Sequence, residues 1–408
     1  EMNFKERMYR INGSVVATMI QNAPIQSQQG FQEDMSVGSG GNLRVGKYGG
    51  DWRGSVRGRW ESDKLDPNDI GLLFAPDEYS VSGWVQRRLN PEEGSYLTNG
   101  NINVNYYQSW LFAGRAFEDP ANPGTELWSY QPWNQQSTGF NINGWGQNRS
   151  RWSMWFGWWH DFPGTSKYRT RFFDGVRGPL MSTGRADGFW WGMSTDWRKD
   201  VNWELEFDGN INEFGGGGWS TDLDLRWVQS ARMNHTASIG YRKTFNDAQW
   251  MNNYASIPGV PQIGGVSYVF GELDNQTVDL TLRSNILFTR RQSLEIYVQP
   301  FISVGSYAKP RALAAPDSRD LQAYDDPEFS ASDFDFRYAS LNANFVYRWE
   351  YLPGSTLYLV WTHARGQWED RASADNPNNF DPGFSRGLIF DNEPENSFQV
   401  KLSYWFSI

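Results

Sequence analysis

The sequence has no cysteine. Disulfides, thiolate metal sites and cysteine nucleophiles are therefore excluded. Histidine is almost as scarce: His160, His235 and His363 are the only three, far apart along the chain. They suggest neither a Ser-His-Asp constellation nor a metal-ligand spacing, and no cofactor is expected. Long apolar runs are missing too. Nothing approaches the roughly 18 residues of a spanning helix, and the mean hydropathy is -0.66. Positive charge is in deficit, with a net charge of -10, which argues against nucleic acid as a partner.

What is abundant is aromatic. Phe, Trp and Tyr make up 16% of the residues, with 22 Trp. Disordered chains lack such residues. A polar average combined with very many aromatics fits a transmembrane β-barrel, which alternates lipid-facing and water-facing side chains and belts itself with Trp and Tyr.

Period-2 alternation supports this reading. Val201, Trp203, Leu205, Phe207 and Ile211 take one parity, while Asn202, Glu204, Glu206, Asp208 and Asn210 take the other. After four glycines, Trp219, Thr221, Leu223, Leu225 and Trp227 alternate with Ser220, Asp222, Asp224 and Arg226. About sixteen such segments can be placed, near 11–22, 40–48, 51–62, 79–90, 98–113, 136–148, 150–162, 185–197, 200–213, 218–230, 233–246, 275–288, 292–306, 334–350, 355–368 and 395–408. Most are long enough to cross a bilayer when tilted. Tight turns near Gly49-Gly50, Asn148-Arg149, Arg198-Lys199, Ser230-Ala231, Thr289-Arg291 and Leu352-Gly354 alternate with long loops near 23–39, 63–78, 114–135, 163–184, 247–274, 307–333 and 369–394. Short periplasmic turns and long extracellular loops are the outer-membrane arrangement.

The expected fold is all-β: an antiparallel up-and-down transmembrane barrel of about sixteen strands, with residues 1–10 as a periplasmic tail and 11–408 as the barrel. The segment near 11–22 should pair with that near 395–408, because an open edge in lipid leaves backbone groups unpaired. A soluble β-sandwich also alternates. Against it stand the strand lengths, the loop asymmetry and Trp52, Trp60, Trp152 and Trp158 on the apolar parity.

From about residue 268 onward the chain resembles a known family. The matching stretches are Tyr268-Val269-Phe270 with Leu273-Asp274, Thr277 through Arg283, and Leu294 with Ile296 through Phe301. The most specific is Arg348-Trp349-Glu350-Tyr351-Leu352-Pro353-Gly354-Ser355-Thr356-Leu357-Tyr358-Leu359-Val360-Trp361, and Lys401-Leu402-Ser403-Tyr404-Trp405 fits as well. These resemble the uncharacterised C-terminal β-barrel domain of bacterial outer-membrane proteins that often carry an N-terminal family 9 carbohydrate-binding-like domain, a domain absent from these residues. The resemblance implies a bacterial (Gram-negative) outer membrane and, where that extra domain exists, handling of carbohydrate. It brings no catalytic residues.

With the apolar parity toward lipid, the other parity lines the interior. Arg53, Arg57, Arg59 and Arg88 lie on the third and fourth segments. Glu204, Glu206, Asp208, Asp222 and Asp224 lie on the ninth and tenth, nearly opposite around a meander. Such walls would set a transverse field across a channel, unless salt bridges neutralise them. Carboxylates two residues apart also suit glycoside hydrolysis, but on one wall they more simply make a polar lining, so no enzyme activity is expected. Inward Trp155 and Trp159 could stack on sugar rings or pack on a plug. The leading expectation is a porin-like channel for small polar solutes, carbohydrates among them. The alternative is a plugged barrel anchoring a partner protein at the loops or the periplasmic rim. Membrane lipid is the expected surrounding, and no metal site is expected.

Overall fold

The computed structural model describes all residues except 25–31, 68–75, 119–123, 174–175, 256–258, 372–382, 385–386, 391–392 and 407–408. Ile408, expected to end the last strand, is outside the described residues.

One antiparallel sheet of eighteen strands dominates. Two of them, Met2–Phe4 and Leu321–Ala323, are short. The other sixteen follow one another in chain order: β1 Tyr9–Pro24, β2 Gln32–Lys47, β3 Trp52–Glu61, β4 Glu78–Leu89, β5 Leu97–Trp110, β6 Gln135–Asn148, β7 Ser153–Phe162, β8 Ala186–Ser194, β9 Val201–Asn212, β10 Gly217–Ser230, β11 Met233–Ala255, β12 Val266–Thr289, β13 Gln292–Leu313, β14 Phe336–Leu352, β15 Ser355–Asp370 and β16 Glu395–Ser403. Each pairs with its sequence neighbours, as in an up-and-down barrel.

Directly opposed residues share a face, so the register sorts the side chains. Leu205 opposes Leu223, Leu223 opposes Ile239, and Ile239 opposes Leu280. This apolar face is the exposed one: Val15, Val56, Phe156, Leu223 and Val400 all lie open on it. Leu205, Leu225, Leu402 and Phe207 belong to the same face. The other face turns inward. Ser109, Ser137, Asp161 and Asn210 from its long-loop end line a cavity that loops close over.

Several expectations change. The loop expected at 23–39 shrinks, because β2 already runs from Gln32. Alternation is invisible there since Gly38, Gly40 and Gly41 carry no side chains. The glycine at 38 is required: a Cβ would sit 2.2 Å from the Lys64 carbonyl oxygen and 2.4 Å from Leu65 Cα. The expected loops at 247–274 and 307–333 also shorten, because β11, β12 and β13 rise beyond the regular wall. Tyr268, Val269 and Phe270 are buried on both parities, so period 2 gives no signal. Register shifts between Asn246 and Gln249 and between Trp250 and Asn252 mark where this tall hairpin departs from the regular ladder.

The N-terminal residues are not simply a tail. Met2–Phe4 folds back on Tyr9–Ile11. Nor is the closing ladder present: among the described residues β16 pairs only with β15, and every residue of β16 is exposed. The returning N-terminal segment occupies the first rungs of the β1 edge that β16 would need.

The buried core lies in the long loops, not in the wall. Leu111, Phe117, Trp128 and Tyr130 from the β5–β6 loop meet Leu180 and Met181 from the β7–β8 loop, Ala248, Ile263, Tyr268 and Phe270 from the β11–β12 hairpin, and Leu313 at the end of β13. Phe117 stacks on Trp128 at 3.8 Å between centroids.

Candidate functional site

The β7–β8 loop reaches two distant parts of the rim. Lys167 Nζ donates to the Pro76 and Asp77 carbonyls beside β4, at 2.8 and 3.0 Å. At its other end, Asp317 N donates to Leu180 O and Ser182 N donates to Ser318 O in the β13–β14 connection, both at 2.9 Å. Asn253 Nδ2 donates to Thr170 O at 2.9 Å from the tall hairpin. The loop is thus a bridge across the mouth. Lys167 is 2% exposed. Burial pushes its ammonium down to about 8, against the pull of Asp77 and Glu78.

Below this cap, the register brings Arg57 opposite Arg44, and Arg53 opposite Gln86. Arg88 opposes Asn101 on the same inward parity. Arg59 pairs with Glu61, and Arg53 Nε donates to Gly50 O at 3.1 Å. Arg57 Nε is buried without a hydrogen-bond partner. Arg44, on the segment expected near 40–48, also belongs to this basic wall, although it was not among the residues expected to line it.

On the acidic side, Glu204 opposes Asp224, Glu206 opposes Asp222, and Asp208 opposes Ser220. Asp208 accepts from the Ser220 hydroxyl and Asp224 from Ser238. Asp279 joins them: its Oδ1 and that of Asp222 flank Gly240, 2.6 and 2.7 Å from where a Cβ would stand. Its signal was the alternating run of β12, which the family resemblance absorbed. Strands β1–β4 and β9–β12 lie eight positions apart in the sixteen-strand order. Among the described residues no ion pair joins the two walls.

Between the walls lie the tryptophans. Trp155 opposes Gly192 and Trp159 opposes Gly188, on the inward face. Each ring lies across its glycine, with ring atoms 2.3 Å from where a Cβ would be. Trp190 does the same over Gly157, and Trp145 pairs with Trp155. Sequence reading missed these two; for Trp190 the glycine opposite it was the available sign.

Under the bridging loop is a cavity of about 400 Å³. Its walls are the upper ends of β4–β9, and its roof carries Tyr168, Arg169, Phe214 and Arg319. Arg319 pairs with Asp247, and its guanidinium sits 4.4 Å from the Phe214 ring centroid. Asp161 accepts from the Tyr107 hydroxyl. His160 Nδ1 lies 2.9 Å from an Asp187 oxygen, and His235 Nδ1 lies 2.8 Å from Ser284 Oγ, so both rings are committed to structural contacts.

A family model described as "Domain of unknown function (DUF5916)" matches residues 1–408. The chain belongs to the DUF5916 family. The family model covers the whole chain, not only its last third. Among curated proteins none matches the chain. Solved structures similar to it include the ferric enterobactin receptor PfeA in complex with BCV-L6, at 9% identity and TM-score 0.40. The match covers 87% of this chain and 63% of that one, so the chain spans less than two thirds of that receptor's length. The siderophore receptor PirA from Acinetobacter baumannii matches at 10% identity and TM-score 0.40, over 97% of this chain and 68% of that one.

Proposed function

We propose that this DUF5916 chain is a bacterial outer-membrane barrel that admits small polar solutes, with the folded outer loops acting as a gate. One observation carries the reading: on the inward parity a basic set on β2–β4 and an acidic set on β9, β10 and β12 stand about eight strands apart in the chain-order meander, and among the described residues no ion pair joins them. Fixed charges on low-dielectric walls focus a field that orients dipolar solutes. The membrane assignment is supported by the exposed apolar face and by Trp52, Trp152, Trp203, Trp227 and Trp349 at its short-turn end, where an interfacial belt of aromatic residues would lie. The reading assigns no chemical reaction to the protein.

A second reading, a plugged anchor for a partner protein, is favoured by the buried loop core that bridges the mouth. Planar-bilayer conductance separates the two. The native chain should be nearly silent. Replacing residues 164–183 with a short Gly-Ser linker should open a pore with a polar, cation-preferring interior. Silence from both proteins would leave the anchor as the surviving reading.

A further inference from the structure

We infer that the cavity beneath the bridging loop is a binding site for a sugar bearing a carboxylate. This deepens the solute-passing reading, on which it rests for how the ligand arrives. A volume of about 400 Å³ is within the range of small-molecule sites.

The decisive group is Arg169. It lies on the roof of the cavity, half-buried, and has no hydrogen bond or ion pair among the described residues. Its neighbour Arg319 is already committed to Asp247 and to the ring of Phe214. Arg169, drawn electrostatically by Asp247 and opposed by Arg319 but hydrogen-bonded to neither, therefore offers a planar fork in a half-buried place, where a carboxylate can bind through two parallel hydrogen bonds.

The facing wall sets the rest of the ligand. Thr138, whose buried hydroxyl has no partner among the described residues, and Asn210 present hydroxyl and amide groups that both donate and accept, while Gln136 Nε2 already donates to Thr165 Oγ1 at 2.7 Å and Ser137 Oγ is shared with Ser109 Oγ at 2.9 Å. Ring hydroxyls match them, since they also do both. An ammonium group only donates: it would suit the carboxylates of Glu78 and Asp161 but leave the wall's hydroxyl and amide donors unmet, so a free amino acid is the competitor to be tested. Glu78 and Asp161 complete that wall. They accept well from hydroxyls but oppose a doubly charged phosphate, so a single negative charge fits better. Tyr168 and Phe214 supply aromatic faces for the apolar side of a sugar ring.

The test is titration calorimetry on the full chain in detergent with D-glucuronic acid, D-glucose and diglycine. Glucuronate should bind more tightly than glucose by about tenfold or more, the scale of one charged hydrogen-bonded pair. Arg169→Gln should bring glucuronate down to the level of glucose, and unchanged protease resistance of the loops in the same variant shows that the cap is still folded. Arg169→Lys should fall between. Equal binding of glucose and glucuronate by the native chain, tighter binding of diglycine, no binding of any probe, or an Arg169→Gln variant that keeps the preference would each overturn the inference. Binding in detergent needs no transport. Lost binding with a conducting loop-deleted barrel would remove this site alone; intact binding with silent bilayers would remove the channel alone.

Discussion

The wall and the cap use the same apolar residues in opposite ways. Along β9–β12 the wall holds Leu223 and Ile239 at 42% and 50% exposure. A short distance further along the same strands, the cap holds Phe270 and Val269 at 0%. In the wall, apolar side chains point away from the protein and polar ones toward it. In the cap, the order is that of a water-soluble domain. The difference implies two solvents: hydrocarbon around the wall and water around the loops. The molecule switches from one rule to the other within single strands, at the register shifts of β11.

The largest expected effect breaks the comparison outright. Removing the bridging segment 164–183 should leave the wall folded and take conductance from near zero to that of an open pore; a wall that fails to insert would show that the two regions are not separable. Next, Phe270→Ala should cost the cap roughly 3–5 kcal/mol, the usual range for emptying a buried aromatic site, read as early proteolysis of the loops while the strands stay protected. In the wall, Leu223→Arg should cost about 2–4 kcal/mol of insertion stability near the membrane midplane, measured by urea-driven unfolding from vesicles. The contrast sharpens if Leu223→Arg leaves cap proteolysis unchanged.

Smaller is the effect of Glu206→Gln with Asp222→Asn. In the loop-deleted barrel this pair should shift ion selectivity toward anions with little change in folding. Added salt should weaken the shift, since it screens charges more than about 8–10 Å apart. Smallest is the pH effect on the cap. Closing the cap buries Lys167 and lowers its pKa to about 8, whereas an exposed lysine holds its proton to roughly 10.4. Between those values the opened cap binds more protons, so raising the pH through that window should favour closure. Asp77, Glu78, Glu61 and Arg177 face the ammonium and set the size of the effect. The urea midpoint for cleavage of the loop, assayed at one fixed pH after incubation, should rise from pH 8 toward pH 10 and stay flat in Lys167→Met.

The strands were legible wherever one face was wet and the other apolar, as in Val201–Asn212. They were illegible where glycine erased the pattern, as at Gly38–Gly41, or where both faces were buried, as at Tyr268–Phe270. The inward parity of the two charged sets could be read because each lies on a regularly alternating strand whose neighbours in sequence are its neighbours in the sheet. The cavity could not, since Arg169 and Arg319 are 150 positions apart in numbering and meet only through loop packing.

The connection between β9 and β10 is the short Glu213–Gly216 turn, closed by Gly215 with φ +88°, a value that suits glycine. Tall folded loops stand on either side of it. The rim therefore has a low sill, with Asn212 and Phe214 at the edge of the cavity just inside and the carboxylates of β9 and β10 below. On the proposed solute-passing reading, traffic that avoids the roof would enter sideways there, as through a dormer window, and would meet negative charge first. A cation would be drawn over that sill, whereas an anion would need the guanidinium behind it to be admitted.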